Sequence, residues 1–264
     1  MNQKQVDEHF NAESAFWRDA YQREDVFGTV FNQRKMIALK YIEELFLSKS
    51  SSVLEIGCGA GYMAVALARK GFTVKAVDHA SSMIELTNIC AKQNGLENRI
   101  HATIEDAHNL TFGVCSFDLI VALGVVAWLH DLRKGLHEIS RVLKPGGYLV
   151  LSMEYPYRWW RDPPLFIQGV VKKFLQRIGL LERSYGAHAQ NYSIKEIEHN
   201  LSNLGLNPIK KSNLGFGPFS LFNHRLFSDR VGIKINNMLQ GYSTKGCPIL
   251  RRAGGQYVLL AQKE

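Results

Sequence analysis

Between Ser51 and Ser152 short β-branched and aliphatic runs alternate with stretches of helical period. The pattern predicts strands over 52–56, 73–77, 99–103, 117–123 and 148–152, with helices over 62–69, 83–94 and 132–143 between them. Gly95 suits the C-terminal cap of the second helix, and Pro145-Gly146-Gly147 suits a stop to the third. Leu119-Ile120-Val121-Ala122-Leu123 has no polar alternation. Such a strand belongs in a parallel sheet covered on both faces, as in repeated βαβ units.

The flanks read differently. Residues 1–48 are helical in pattern and carry Phe10, Phe16, Trp17, Tyr21, Phe27 and Phe31. After the fifth strand come Glu154-Tyr155-Pro156-Tyr157-Arg158-Trp159-Trp160 and then Pro163-Pro164. Beyond them Ile167, Val170, Val171, Phe174, Leu175 and Ile178 fall on one helical face, opposite Lys172, Lys173, Gln176 and Arg177. Ser193 and Glu196 have capping-box spacing and open a further helix to about Leu204. A strand is predicted over 256–261. No internal repeat or low-complexity linker interrupts the chain.

A chain of 264 residues and 29.9 kDa suits one large α/β domain, or a core with a small cap. With 46% hydrophobic and 21% charged residues, wholesale disorder is excluded. No apolar run reaches the roughly 18 residues of a spanning helix, and the first residues lack the apolar segment of a signal peptide. Cys58, Cys90, Cys115 and Cys247 are scattered without metal-ligand spacing, so they are expected to be reduced thiols of a cytoplasmic protein, with no metal site. The net charge of +8 is unevenly placed: residues 1–150 hold 16 basic and 17 acidic side chains, and residues 151–264 hold 16 and 7. The excess of cations in the second part suggests an anionic partner or surface there.

The strand over 52–56 runs into Gly57-Cys58-Gly59-Ala60-Gly61 and then a helix. Glycine is needed where backbone turns sharply or approaches a ligand closely. Asp78 ends the second strand about 20 residues later, where a carboxylate can accept from both hydroxyls of a ribose. The G-x-G-x-G spacing differs from the dinucleotide fingerprint, whose third glycine comes one residue later, so a nicotinamide-dependent oxidoreductase is disfavoured. Glu55 through Gly61, Val77-Asp78, Glu105-Asp106-Ala107 and Leu143-Lys144-Pro145-Gly146-Gly147 together resemble the successive motifs of class I S-adenosylmethionine (SAM) methyltransferases. The stretch from Leu129 to Gly147 resembles in particular the ubiquinone/menaquinone-biosynthesis type.

That resemblance implies an α/β Rossmann-like fold with a seven-stranded, mostly parallel sheet whose last strand is antiparallel. It divides the chain into a helical N-terminal arm or lid, 1–48, and a SAM-binding domain, 49–264, with a cap insertion at about 153–190. It also implies residue roles. Gly57 and Gly59 pack against the methionine part of SAM, and Glu55 receives its ammonium. Cys58 is a small residue that fits the loop. Asp78 holds the ribose, with His79 beside it, and Met83 lies against the adenine. Asp106, flanked by Glu105, accepts from the adenine N6 amine, and Ala107 offers a backbone N–H. Leu123 and Gly124 contact the amino group, while Tyr21 and Arg34 reach the carboxylate, which an arginine fork suits.

An activated methyl donor asks the protein mainly to align an acceptor, and a general base assists a hydroxyl acceptor. Candidate bases are His130, Glu154, Tyr157 and His188. An Asn-Pro-Pro-Tyr-type turn and a Pro-Cys nucleophile are both missing, which disfavours amide, adenine and cytosine acceptors. The aromatic arm and cap, including Tyr155, Trp159 and Trp160, point to an apolar or lipid-like small molecule. Residues 207–252 carry Lys210, Lys211, Arg225, Arg230, Lys234, Lys245, Arg251 and Arg252 against Asp229, with Phe216, Phe219, Phe222 and Phe227 interleaved. This segment suits either weak docking on anionic membrane, at the inner face, or a solvated basic sheet edge whose phenylalanines are core. Nucleic acid is disfavoured, and oligomeric state is not readable. The competing functions are a non-catalytic SAM-binding partner or regulator and a methyltransferase of RNA.

Overall fold

The computed structural model describes residues 3–154, 190, 192–217, 219–221, 224–248, 250 and 253–264. The cap, with Tyr155, Tyr157, Trp159, Trp160 and His188, lies outside them, as do Phe222, Arg251 and Arg252.

Strands β1 (Ser52–Ile56), β2 (Thr73–Asp78), β3 (Ile100–Ile104), β4 (Phe117–Leu123), β5 (Leu143–Glu154), β6 (Leu206–Leu214) and β9 (Gln256–Lys263) make one sheet in the order β3-β2-β1-β4-β5-β9-β6. β1 to β5 pair in parallel, and β9 runs antiparallel to both β5 and β6. Two short strands, β7 (Ser220–Leu221) and β8 (His224–Arg225), form a separate hairpin. The seven-stranded, mostly parallel sheet expected from the resemblance is therefore present, with the last strand antiparallel.

The unbroken apolar strands are explained by a core on each face. Successive residues point to opposite sides, so Val53, Leu119, Val121, Val150 and Val258 pack against α3 (Val26–Glu43), α4 (Tyr62–Arg69) and α5 (Ser81–Gln93). Leu54, Ile120, Ala122, Leu149 and Leu259 pack against α6 (Leu132–Val142) and α7 (Ile194–Ser202). Ser193 caps α7 by accepting from the Glu196 N–H, as its spacing predicts.

Three local readings need correction. The third core helix ends at Val142, before the proline and glycines, because Leu143 already pairs with Phe117. Lys144 to Gly147 then form an irregularity, and regular pairing resumes at Leu119 with Tyr148; an irregular stretch tolerates the missing N–H of Pro145. β6 gives little sequence signal, since Leu206–Leu214 is the sheet's edge and exposes Lys210 and Lys211. Helix α8 (Asp229–Thr244) was not predicted either; it buries Gly232 and Asn236 and leaves much of its surface to solvent.

The N-terminal arm comprises α1 (Gln3–Ala12), α2 (Ser14–Asp19) and α3. Asp25 caps α3 through the Gly28 N–H, and α3 packs into the sheet, where Tyr41 bonds Ser212 at 2.6 Å. The two shorter helices are fastened by side chains. Asp7 meets His79 at 2.7 Å, Asn11 accepts from the Ser82 N–H at 3.3 Å, and the Tyr62 hydroxyl donates to the Arg18 carbonyl. His9 and Phe10 lie against Trp128, with ring centroids 5.0 and 4.9 Å away. Fastening of this kind makes a separable unit of low local stability. In Asp7→Ala protein, amides of residues 3–19 should exchange faster while those of β1 and β4 keep their protection; hydrogen exchange read by mass spectrometry checks this, and unchanged exchange in the arm would mean that the aromatic contacts alone hold it.

Candidate cofactor and active site

The sheet reverses its strand order between β1 and β4, and in open α/β sheets a ligand crevice opens there at the carboxyl ends of the strands. A cavity of about 320 Å³ lies at this point, roofed by the arm. Every residue assigned above to SAM lines it: Tyr21, Arg34, Glu55, Gly57, Cys58, Gly59, Asp78, His79, Met83, Glu105, Asp106, Ala107, Leu123 and Gly124.

The floor is backbone. Gly57 and Cys58 donate to the Val77 carbonyl at 2.7 and 3.0 Å, which pins the end of β1 against the end of β2. Gly59 has φ +54, and a Cβ built there meets nothing within 4 Å. The conformation selects glycine, and the space above it is open. At Gly124, φ is +78 and a Cβ would stand 2.9 Å from Arg34 Nη1, so a side chain there would displace the guanidinium. The Gly124 N–H donates to Ser152 Oγ, which leaves the carbonyl as the group this residue can offer a ligand.

Asp78 ties the two loops together. One carboxylate oxygen accepts from the Gly59 N–H at 3.0 Å and the other from the Ala80 N–H at 3.1 Å. Burial raises its pKa, with the backbone N–H groups of Gly59, Ala80 and His79 working against that rise. Each oxygen still has a lone pair for a further donor. Cys58 is buried, its sulfur accepts from the Thr87 hydroxyl, and burial followed by the charges of Asp78 and Glu55 pushes its thiol well up. A thiol so held is no nucleophile.

Two buried charged side chains carry unpartnered atoms. Glu55 is 3% exposed and its Oε2 has no hydrogen-bond partner. Burial, then the charge of Asp78, drives its carboxyl well above the usual range, while an N–H from Ala64 opposes this. Arg34 is 5% exposed; its Nη2 donates to the Tyr21 hydroxyl at 3.1 Å and its Nε has no partner. A cavity with a lone anion-seeking group and a lone cation-seeking group, beside a carboxylate with spare lone pairs, fits an amino acid joined to a nucleoside.

Other assignments change on inspection. Glu105 lines the wall, yet its carboxylate is engaged by the hydroxyl and N–H of Thr111 at 2.5 and 3.1 Å, so it braces the loop. His130 is exposed, lies tilted against His108 with ring centroids 3.8 Å apart, and is not among the lining residues. Its place beyond the turn Val126–Trp128 carries it past the cavity. Glu154 does line the cavity, with Gln256 Nε2 at 3.4 Å from one carboxylate oxygen. Sequence reading missed Tyr62, His108 and Trp128 in the wall. Tyr62 follows the glycine loop directly and could have been found by adjacency; Trp128 sits in a short turn with no periodicity to mark it. Trp128, Phe10, Trp17, Phe31 and Tyr21, in that order, form a continuous aromatic chain along the cavity wall, with successive centroids 4.9–6.1 Å apart.

Residues 54–151 match a family described as a methyltransferase domain. "Methyltransferase GfsG" of Streptomyces halstedii is 36% identical over 111 residues, covering 42% of this chain and 40% of that protein. A "Ubiquinone biosynthesis O-methyltransferase" of Rickettsia prowazekii (strain Madrid E) is 29% identical over 158 residues, or 58% of this chain and 59% of its own. The chain thus spans about half the length of the curated relatives it matches. Among solved structures, a geranyl diphosphate C-methyltransferase from Streptomyces coelicolor A3(2), in complex with Mg2+, geranyl diphosphate and S-adenosyl-L-homocysteine, superposes with a TM-score of 0.59 at 15% identity, covering 87% of this chain and 77% of that one. At that identity the likeness is one of fold. Residues 54–151 thus match a methyltransferase domain, are similar in sequence to O-methyltransferases of ubiquinone biosynthesis, and lie on a fold shared with methyltransferases of known structure.

Proposed function

We propose that the protein transfers a methyl group from SAM to a hydroxyl oxygen of a small, apolar, quinone-type acceptor. The observation that carries this reading is the buried pair of unpartnered groups, Glu55 Oε2 and Arg34 Nε, in the wall of one cavity. Arg34 and Tyr21 suit the carboxylate of the methionine part, Glu55 and the Gly124 carbonyl its ammonium, Asp78 the ribose, and Asp106 the adenine amine. Bound there, SAM supplies a methyl group on positively charged sulfur. The aromatic chain of the arm excludes water from that end and gives a flat acceptor a surface to lie on. Glu154, at the end of β5, lines the cavity and is the residue to which this reading gives the hydroxyl proton as oxygen bonds to the methyl carbon and the carbon–sulfur bond breaks. The names of the ubiquinone relatives support the acceptor class. In this reading the arm, 1–48, acts as the lid.

Incubation with methyl-labelled SAM and a panel of lipid-soluble phenols should yield labelled methyl ethers and S-adenosylhomocysteine. SAM binding without any labelled product would favour the non-catalytic partner instead. Asp78→Asn keeps one acceptor oxygen, so the ribose contacts should weaken and SAM affinity should fall by about 1.5–3 kcal/mol, roughly ten- to hundredfold. Calorimetry checks it, and an unchanged dissociation constant would remove Asp78 from the ribose site.

Glu55 gives a proton-linked signature. Its carboxyl is raised in the free protein, and a cation beside it favours the ionised form. Binding should therefore release protons over the pH range in which the free carboxyl titrates, with affinity rising with pH across that range until the free carboxyl ionises. The apparent enthalpy should depend on the ionisation enthalpy of the buffer in the native protein and lose that dependence in Glu55→Gln. Equal enthalpies in all buffers would place the ammonium elsewhere.

Anionic membrane is the proposed surface for the C-terminal charge, narrowed to one helix. Lys210 and Lys211 are paired with Glu44 and Glu198, which removes them from the free cations. On α8 and its C-terminal cap, Arg230, Lys234 and the cap residue Lys245 flank exposed Val231, Met238 and Tyr242. Vesicles containing anionic lipid should sediment more protein than neutral ones, with the difference gone by about 0.5 M salt. Equal sedimentation with both would leave a basic face and no membrane role.

A further inference from the structure

His108 belongs to the cavity wall, and the reading above gives it no task. Its ring is 2% exposed and bridges two segments far apart in sequence, the loop at 105–111 and the start of α6. Asp106 Oδ1 stands 2.7 Å from its Nδ1 and 2.8 Å from its backbone nitrogen. On the other side the Asp131 backbone N–H points at Nε2, 3.3 Å away. A carboxylate can only accept and an N–H can only donate. The two neighbours therefore fix the ring as a neutral imidazole with its proton on Nδ1. Asp131 is itself anchored as the cap of α6, accepting from the Lys134 N–H. The imidazole is thus held from a rigid element, with the His130 ring tilted against it, centroids 3.8 Å apart.

Both of the bonds to Asp106 fall on Oδ1, and Oδ2 takes none of the hydrogen bonds among the described residues. The side chain is otherwise 35% exposed and could turn toward solvent. We propose that His108 is a positioning residue: it holds Asp106 so that Oδ2 faces the cavity as a bare acceptor, and thereby sets a preference for a 6-aminopurine over a 6-oxopurine in the bound nucleoside. An exocyclic amine donates to Oδ2, whereas a carbonyl in the same place sets lone pairs against a carboxylate. The inference rests on the reading that this cavity takes the adenosyl group of SAM.

The test uses two unreactive probes, S-adenosylhomocysteine and S-inosylhomocysteine, bound by calorimetry to the whole protein. The native protein should prefer the adenosyl probe by about tenfold or more, as sites built to pair a polar group reject its mismatch. His108→Leu keeps bulk without a donor and should bring the two affinities close together. His108→Asn returns an N–H near the place of Nδ1 and should restore most of the ratio. His108→Gln, polar but lacking a donor at that place, substitutes for the Leu variant should the latter fail to fold, and should also lose the ratio. A merely structural histidine would weaken both probes alike, so a native ratio in the Leu or Gln protein overturns the proposal. Failure of the native protein to bind S-adenosylhomocysteine would overturn the cofactor reading itself, a result distinct from a retained ratio.

Discussion

The site depends on the carboxylate of Asp78. Its two oxygens hold the Gly59 N–H from the loop after β1 and the Ala80 N–H before α5. Two loops that meet only at strand ends are thereby locked in one relative position, and the open surface of Gly59 is aimed along the switch point. The interaction is costly in isolation, since burial disfavours the charged form. Backbone N–H groups offset that cost, and a ligand with hydroxyl donors would offset it further.

The same logic governs Glu55 and Arg34. A protein selected for stability alone would pair them or replace them with apolar residues, because a buried guanidinium with an unpartnered N–H, or a carboxyl that burial pushes toward its neutral form, is destabilising. Unpartnered atoms on both, in one cavity wall, fit the binding site proposed for them. Gly124 belongs to that site, because a side chain there would push Arg34 Nη1 out of position.

Much of this was legible in the sequence, for reasons that can be named. β1 to β5 are buried on both faces, so their apolar runs are unambiguous, and α4 begins at Tyr62 where the glycine loop leaves it no other start. Glu55, Gly57, Asp78, Asp106 and Leu123 were legible as motifs because they sit at or just beyond strand ends, where position along the chain fixes position in space. His108 and Trp128 were not legible: their roles come from contacts across 20 residues or more, with Asp131 and with Phe10. β6 was hidden because an edge strand can be polar along its length, and α8 because it buries too little to show a clear stripe. His130 was misplaced for a related reason, since one residue's turn in Val126–Trp128 decides whether a side chain enters the cavity.

The strand order has a consequence for how the molecule is made. β9 lies between β5 and β6, yet it is the last of the three in the chain. A nascent chain that has already released β6 from the ribosome has no sheet edge to give it, because β6 bonds to β9 and not to β5. α3, synthesised before any strand, waits equally long for the β6 residue Ser212 that its Tyr41 meets. The parallel half can condense vectorially, whereas the other half closes in a late step that joins segments from both ends of the sequence. Until then β5 offers an unpaired, apolar edge to other chains.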